Sequence, residues 1–461
     1  MRIDDQFEYA VTLSDKGALT HWNNTILAFL AHSAATPEHL AKTLEADPDF
    51  ALAQAARGLF CLLLGRREMT ATAFEAYAIA DKCRRDTQIT DREEAVVEAL
   101  NDWLQGAPSK AADRLDEMLL KYPRDALTLK LVHAIRFVLG QPSRMRSSIE
   151  GVIGAYEEDH VAKGYVHGCY SFALEESGDF ERAERIGKEA VALQNDDAWG
   201  LHAVAHVLDM TGKTEEGIKW LDDQPQAWEH CNNFGYHVWW HLALLHLDRG
   251  NVERVFELYD QKFRKDHTDD YRDISNAASM LVRLELEGIK VGHRWEELAS
   301  ISEKRIDDSC NVFADLHYML ALLGDNRRQS SDRLLARMRT FGEEDTNEMG
   351  HVTKIAGSPT ASGLMQFKNG NYFSAYHHLA EARPLLRTVG GSHAQRDVFE
   401  RITIEAALRA GLCQEAKRMI DERTRLRGGS DTYGETRMAQ ATRMMEATDL
   451  MQSEHLRFRM G

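Results

Sequence analysis

Ten glycines punctuate the chain at a near-constant interval: Gly65, Gly106, Gly140, Gly178, Gly212, Gly250, Gly288, Gly324, Gly370 and Gly411, separated by 34 to 46 residues. Such an interval holds two helices and two turns, and glycine suits the left-handed residue that closes a helix. A chain with this rhythm is committed to stacked helical hairpins, because each unit can bury its apolar face only against its neighbours. Composition agrees: eight prolines in 461 residues leave the long Ala-, Leu-, Glu- and Arg-rich runs free to be helical. The fold class expected is all-α.

Small residues recur around the glycines. Gly58, Ala99, Ser171, Ala205, Ala243 and Gly363 stand seven positions before one, and Ala111, Ala183, Gly217, Ala375 and Ala416 stand five after. Small side chains at both places let the two helices of a hairpin approach closely. Met145, His293 and Gln329 break the rule elsewhere. The pattern resembles the tetratricopeptide repeat, a helix-turn-helix hairpin stacked into a right-handed α-solenoid, here of about ten units. Asp197 to Leu221 (DAWGLHAVAHVLDMTGKTEEGIKWL) and Phe234 to Asp260 (FGYHVWWHLALLHLDRGNVERVFELYD) are similar to the tetratricopeptide repeat protein 38 family, with Asn311 to Gly324 a weaker third block. That resemblance implies a fold and a place to look, and no particular reaction.

The expected organisation is one continuous solenoid over 1–461, with an N-terminal cap at 1–40, hairpins over 41–425 and a C-terminal cap or dimerising tail at 426–461. The run Arg423 to Arg427 reads as the end of a solvated helix. With 56 basic against 73 acidic side chains the chain carries a formal charge of −17, the wrong sign for gripping phosphates, so no nucleic-acid partner is expected. No apolar run reaches membrane-spanning length, and the first residues lack the pattern of a signal peptide, so the expected location is cytoplasmic, without a membrane. The six scattered cysteines signal neither disulfides nor a zinc ribbon.

Chemistry is concentrated at the centre. Eight of the 20 histidines fall between His160 and His246, where an even distribution would put about four. His202 and His206 lie one helical turn apart, as do His237 and His241, so each pair projects from one face. In tetratricopeptide arrays the inner surface is lined from positions about thirteen, ten, six and three before the turn glycine. Those offsets give Trp199, His202, His206 and Asp209 before Gly212; His237, Trp240, Leu244 and Leu247 before Gly250; and Tyr165, Gly168, Phe172 and Glu175 before Gly178. His241 stands at the border of this patch.

Three roles are open to the four histidines. They can be hydrogen-bonded core residues. They can ligate a divalent metal, with Asp209 or Glu175 adding an oxygen, although no HExxH pattern is present. They can be acid–base groups in a pocket walled by Trp199, Trp240 and Tyr165, as in a hydrolase or lyase. Asp315 and His317, with Asp273 and Asn276 from the preceding unit, are lesser candidates that a superhelix could bring opposite. The favoured expectation is a small-molecule site, with no cofactor specified. The alternatives are a scaffold whose groove takes a peptide, and a histidine-ligated metal enzyme. Expected partners are therefore a small ligand or substrate, a peptide or protein, or a second copy of the chain as a homodimer.

Overall fold

The computed structural model describes residues 1–460, with the side chains of residues 1–448 and Leu450; Gly461, at the end of the expected tail, lies outside it. It is a tetratricopeptide-like all-α array. After a helical pair, Ala18–Leu30 and Thr36–Ala46, ten further hairpins follow among the described residues, from Ala51–Leu63 with Arg67–Asp86 to His393–Arg409 with Cys413–Arg427. The last helix is Thr432–Met460. Helices run across both expected cap boundaries, since Thr36–Ala46 passes residue 40 and Cys413–Arg427 passes residue 426.

Nine of the ten turn glycines adopt positive φ. At the tenth turn the left-handed residue is Asn326, with φ +57°, and Gly324 ends its helix instead. A Cβ on Gly324 would stand 2.3 Å from the Trp295 ring, so this glycine answers to packing rather than to backbone conformation. The small-residue rule has the same origin. A Cβ on Gly58 would meet Leu100 at 2.4 Å, and one on Gly363 would meet Leu379 at 2.5 Å. Residues 2–12 depart from the helical expectation, forming an antiparallel hairpin of Arg2–Asp4 and Ala10–Thr12. It is anchored where the backbone N–H and hydroxyl of Thr12 both donate to the Glu93 carboxylate at 2.8 Å.

The array curls back on itself. Arg305 pairs with Glu68 at 2.8 Å, the N–H of Glu348 donates to the Gly106 carbonyl, and the N–H of His393 donates to Glu176 at 2.7 Å. Arg427 bonds the Asp209 carbonyl at 2.7 Å, and Arg437 that of Leu286 at 2.7 Å. These contacts join residues 151 to 242 positions apart, so the inner offsets face protein rather than an open groove: Tyr165, Phe172, Glu175, His202, His206 and Trp240 are all buried. Arg423 and Arg427 are buried too, which corrects the reading of that run as a solvated helix end. They are held in an ionic network with Asp397, Asp431 and Asp209. Among the described residues no helix is long and apolar enough to cross a membrane.

Candidate metal centre

Two consecutive hairpins supply the site. Helix Ala198–Met210 follows Asp197 and packs closely on its neighbours through Gly200, where a Cβ would lie 2.3 Å from the Asp197 carboxylate and 3.2 Å from Ala190. Helix Phe234–Asp248 starts where the Asn232 side chain accepts from the N–H of Phe234 at 3.0 Å. With their first helices side by side, the i, i+4 pairs of each face one another.

The four histidines expected from the sequence meet. Nε2 of His202 lies 3.2 Å from Nε2 of His241 and 3.0 Å from Nε2 of His237, and these last two are 3.1 Å apart. His206 joins them, its ring centroid 4.4 Å from those of both His202 and His241. One ligating nitrogen from each of the four falls within 4.8 Å of the rest. His202, His206 and His241 are at most 1% exposed.

A triangle of three Nε2 atoms is not a hydrogen-bond network. Each Nε2 carries either one N–H or one in-plane lone pair, never both, so three neutral rings cannot make all three contacts hydrogen bonds. At least one edge must set like against like. Neither Nδ1 of His202 nor Nδ1 of His241 finds a protein acceptor; His237 alone has one, its Nδ1 lying 3.1 Å from Oδ1 of Asn276. That contact places the His237 proton on Nδ1 and its Nε2 lone pair toward the triangle. With all three protons on Nδ1, three lone pairs converge. Ligands about 2.1 Å from a metal stand about 3.0 Å apart at right angles and about 3.4 Å apart at tetrahedral angles. The observed edges fall within that span.

Electrostatics keep these rings available. Burial, with the neighbouring His206, pushes His202 and His241 well below the ordinary imidazole value and His237 down to about 3. His206 goes the other way. Burial opposes its charge, but Glu175, whose Oε2 is 3.5 Å from His206 Nδ1, outweighs that and raises it. The Glu175 carboxylate is fully buried and neither oxygen has a hydrogen-bond donor. Glu176 beside it is tied to His393 and Arg396.

The other expected residues have different surroundings. Trp240 is buried with its ring stacked on His237 at 5.3 Å, and Trp199 stands 5.1 Å from His202 while donating to His133 Nε2 at 3.1 Å. Both indoles brace the imidazoles. The Tyr165 hydroxyl donates to Asp196 at 2.8 Å. Asp209 faces Arg427 at 3.1 Å, Asp315 takes a two-pronged bond from Arg337 at 2.5 and 3.0 Å, and His317 Nδ1 is 2.8 Å from its own helix's Phe313 carbonyl. Asp273 accepts from Asn233 at 2.7 Å, and burial beside Asp270 raises it to about 7. Of the lesser candidates, Asn276 alone touches the imidazoles.

Three neighbours escaped the sequence reading. Lys130 lies 4.6 Å from the Trp199 ring, and His133 takes its indole N–H. The inner offsets counted from Gly140 include Lys130 and Phe137, so this signal was present. His32 stacks on Phe234 at 4.4 Å and on Trp199 at 5.1 Å, from a left-handed turn of φ +56° with no repeat position to mark it.

No family model matches the chain. Solved structures of human IFIT1 are similar along nearly its whole length. The IFIT1 dimer with m7Gppp-AAAA gives a TM-score of 0.45 at 13% identity, over 94% of this chain and 96% of that one. The dimer with PPP-AAAA gives 0.41 at 13% identity, over 96% and 98%. A monomeric IFIT1 mutant with Gppp-AAAA gives 0.38 at 14% identity, over 92% and 99%.

Proposed function

We propose that the chain is a metal-dependent enzyme whose divalent transition metal is held by Nε2 of His202, His237 and His241. The mutual approach of those atoms at 3.0 to 3.2 Å, in a pattern hydrogen bonding cannot satisfy, carries the reading. Imidazole nitrogens suit zinc, copper, iron or nickel. Asn276 fixes the tautomer and tilt of His237 from behind, the outer-shell role that ligating histidines commonly require.

Three protein ligands leave a position open, as in catalytic rather than structural centres. A cation there supplies acidified water and a polarised carbonyl. His206, with Glu175 at 3.5 Å, holds a proton beside that position and can pass it either way. The reaction classes that fit are hydrolysis and elimination or hydration, which keeps the paired-histidine acid–base role for His206 and makes its three neighbours ligands. The ligands lie in HAVAHV and HVWWHLAL, the segments that carry the resemblance to the tetratricopeptide repeat protein 38 family.

The test is reconstitution of the full chain, after chelation, with Co(II) and with Zn(II). One equivalent should bind with the absorption of a nitrogen-rich cobalt site, and His202→Ala and His237→Ala should each lose it while His206→Ala retains it. A wild-type protein that binds no stoichiometric metal, or variants that bind it as before, overturns the proposal.

A further inference from the structure

One helical turn beyond the histidines lies a cavity of about 180 Å³. Asp209, three residues after His206, and Leu244, three after His241, form part of its wall, and the rest comes from Tyr271–Leu286 and from the chain around Arg427 to Tyr433. Its two ends differ chemically. Leu244, Leu247, Val252 and Ile289 make one end apolar, whereas Arg283 and Arg427 stand at the other.

Arg283 is 1% exposed and lies 5.6 Å over the Trp240 ring, whose stacking partner is His237. Its Nη1 donates to the Ser279 carbonyl at 3.1 Å and its Nη2 to the Ala394 carbonyl at 2.6 Å, both uncharged acceptors. Asp397, at 3.9 Å, is already committed to Arg401 at 2.7 Å and to Arg423 at 2.6 Å. Asp431 is shared by Arg423, Arg401 and Arg427, and Asp209 by Arg427. Four guanidiniums thus face three carboxylates, and Arg283 is the one left without a close counter-ion. The two acids at the rim do not redress this: Asp248 accepts from Thr214 and from the N–H of Thr432, and Glu287 pairs with Arg437. The Nε of Arg283 and the Nε of Arg427 are both buried without a protein acceptor. A buried cation short of its counter-ion is costly, and burial together with Arg401 pushes Arg283 down to about 9.

We propose that this cavity binds a small monocarboxylate with a short branched apolar body. The carboxylate accepts from the free Nε–H groups of Arg283 and Arg427, and the body lies against Leu244, Leu247, Val252 and Ile289. The volume suits a molecule of a few carbons, and the apolar end disfavours a fully hydrated anion such as phosphate. This site is independent of the metal centre.

Calorimetric titration of the chelated full-length chain tests it, with isovalerate, its neutral counterpart isovaleramide, and inorganic phosphate as probes. Isovalerate should bind, with isovaleramide at least tenfold weaker and phosphate silent. Arg283→Met should weaken isovalerate at least tenfold with no fall in melting temperature, because an apolar side chain of similar length replaces an undercompensated charge. Leu247→Trp, which fills the apolar end from the rim, should weaken it without altering either guanidinium, and it decides the matter should the first variant not fold. Equal binding of acid and amide, preference for phosphate, no binding of isovalerate, or unchanged binding by a folded variant overturns the proposal. Because the protein is metal-free, this result does not depend on the metal reading.

Discussion

Replacing His241 by leucine separates a metal centre from a hydrogen-bonded core by the sign of a stability change. In the metal-free protein His241 is 1% exposed, its Nδ1 has no partner, and its Nε2 completes a triangle in which one edge cannot be a hydrogen bond. Leucine is of similar bulk and needs no partners. Its introduction leaves His202 and His237 3.0 Å apart, able to form one good hydrogen bond. Removing an unsatisfied buried polar group recovers about 1–3 kcal/mol, against which stands imperfect packing of a differently shaped side chain. In chelator, His241→Leu should therefore be as stable as wild type or up to about 2 kcal/mol more stable. With metal the order should invert. A metal at a hundred times its dissociation constant stabilises wild type by about 2.7 kcal/mol, and the variant has lost a ligand. At about 2.1 cal/mol/K per residue, a 461-residue chain unfolding as one unit has an entropy near 1 kcal/mol/K, so the wild-type melting temperature should rise by about 3 °C. Scanning calorimetry of both proteins with chelator and then with Zn(II) measures this. A loss of about 2–5 kcal/mol by His241→Leu in chelator, with no response of wild type to metal, would refute the reasoning and return the histidines to the core.

Three further expectations follow from the same geometry. Glu175→Gln removes a buried carboxylate that has no hydrogen-bond donor, so at neutral pH it should not lower the melting temperature, while metal affinity measured by competition with a chromophoric chelator should drop about 10–100-fold. Burial holds His202, His237 and His241 below their unfolded values, so below pH 6.5 the unfolded chain takes up protons that the folded rings refuse. Stability of the chelated protein should fall by up to about 1.4 kcal/mol per pH unit for each ring, from pH 6.5 toward pH 3 for His237, and a triple His→Leu variant should show a shallower fall in urea titrations; an equal slope would contradict this. Gly187→Ala puts a Cβ 2.5 Å from Val204 and 2.6 Å from Ser171, and should cost about 1–3 kcal/mol. Gly178→Ala, at φ +82° in open space, should cost only its backbone strain of about 1 kcal/mol, so equal losses in thermal melts would show that the helix spacing does not depend on the small residue.

The sequence by itself determined whatever is local. The glycine interval set the hairpins because a left-handed helix end is a property of one residue and its neighbours. At Asn326 the signal shifted by two positions because asparagine also tolerates that conformation. The i, i+4 spacing put His202 with His206 and His237 with His241, and the offset count put both pairs on inner faces. Tertiary structure alone decided which nitrogens converge, since that depends on the axial register of two neighbouring helices, and a slide of one turn along the 5.4 Å pitch would have separated the triangle. It alone brought Glu175 to His206 and Asn276 to His237, and it alone closed the array so that Arg427 lies against Asp209, 218 residues earlier. Periodicity in a chain reports which face a side chain occupies. Distances between faces, and the burial that withholds protons from three imidazoles, come from how all the hairpins pack together.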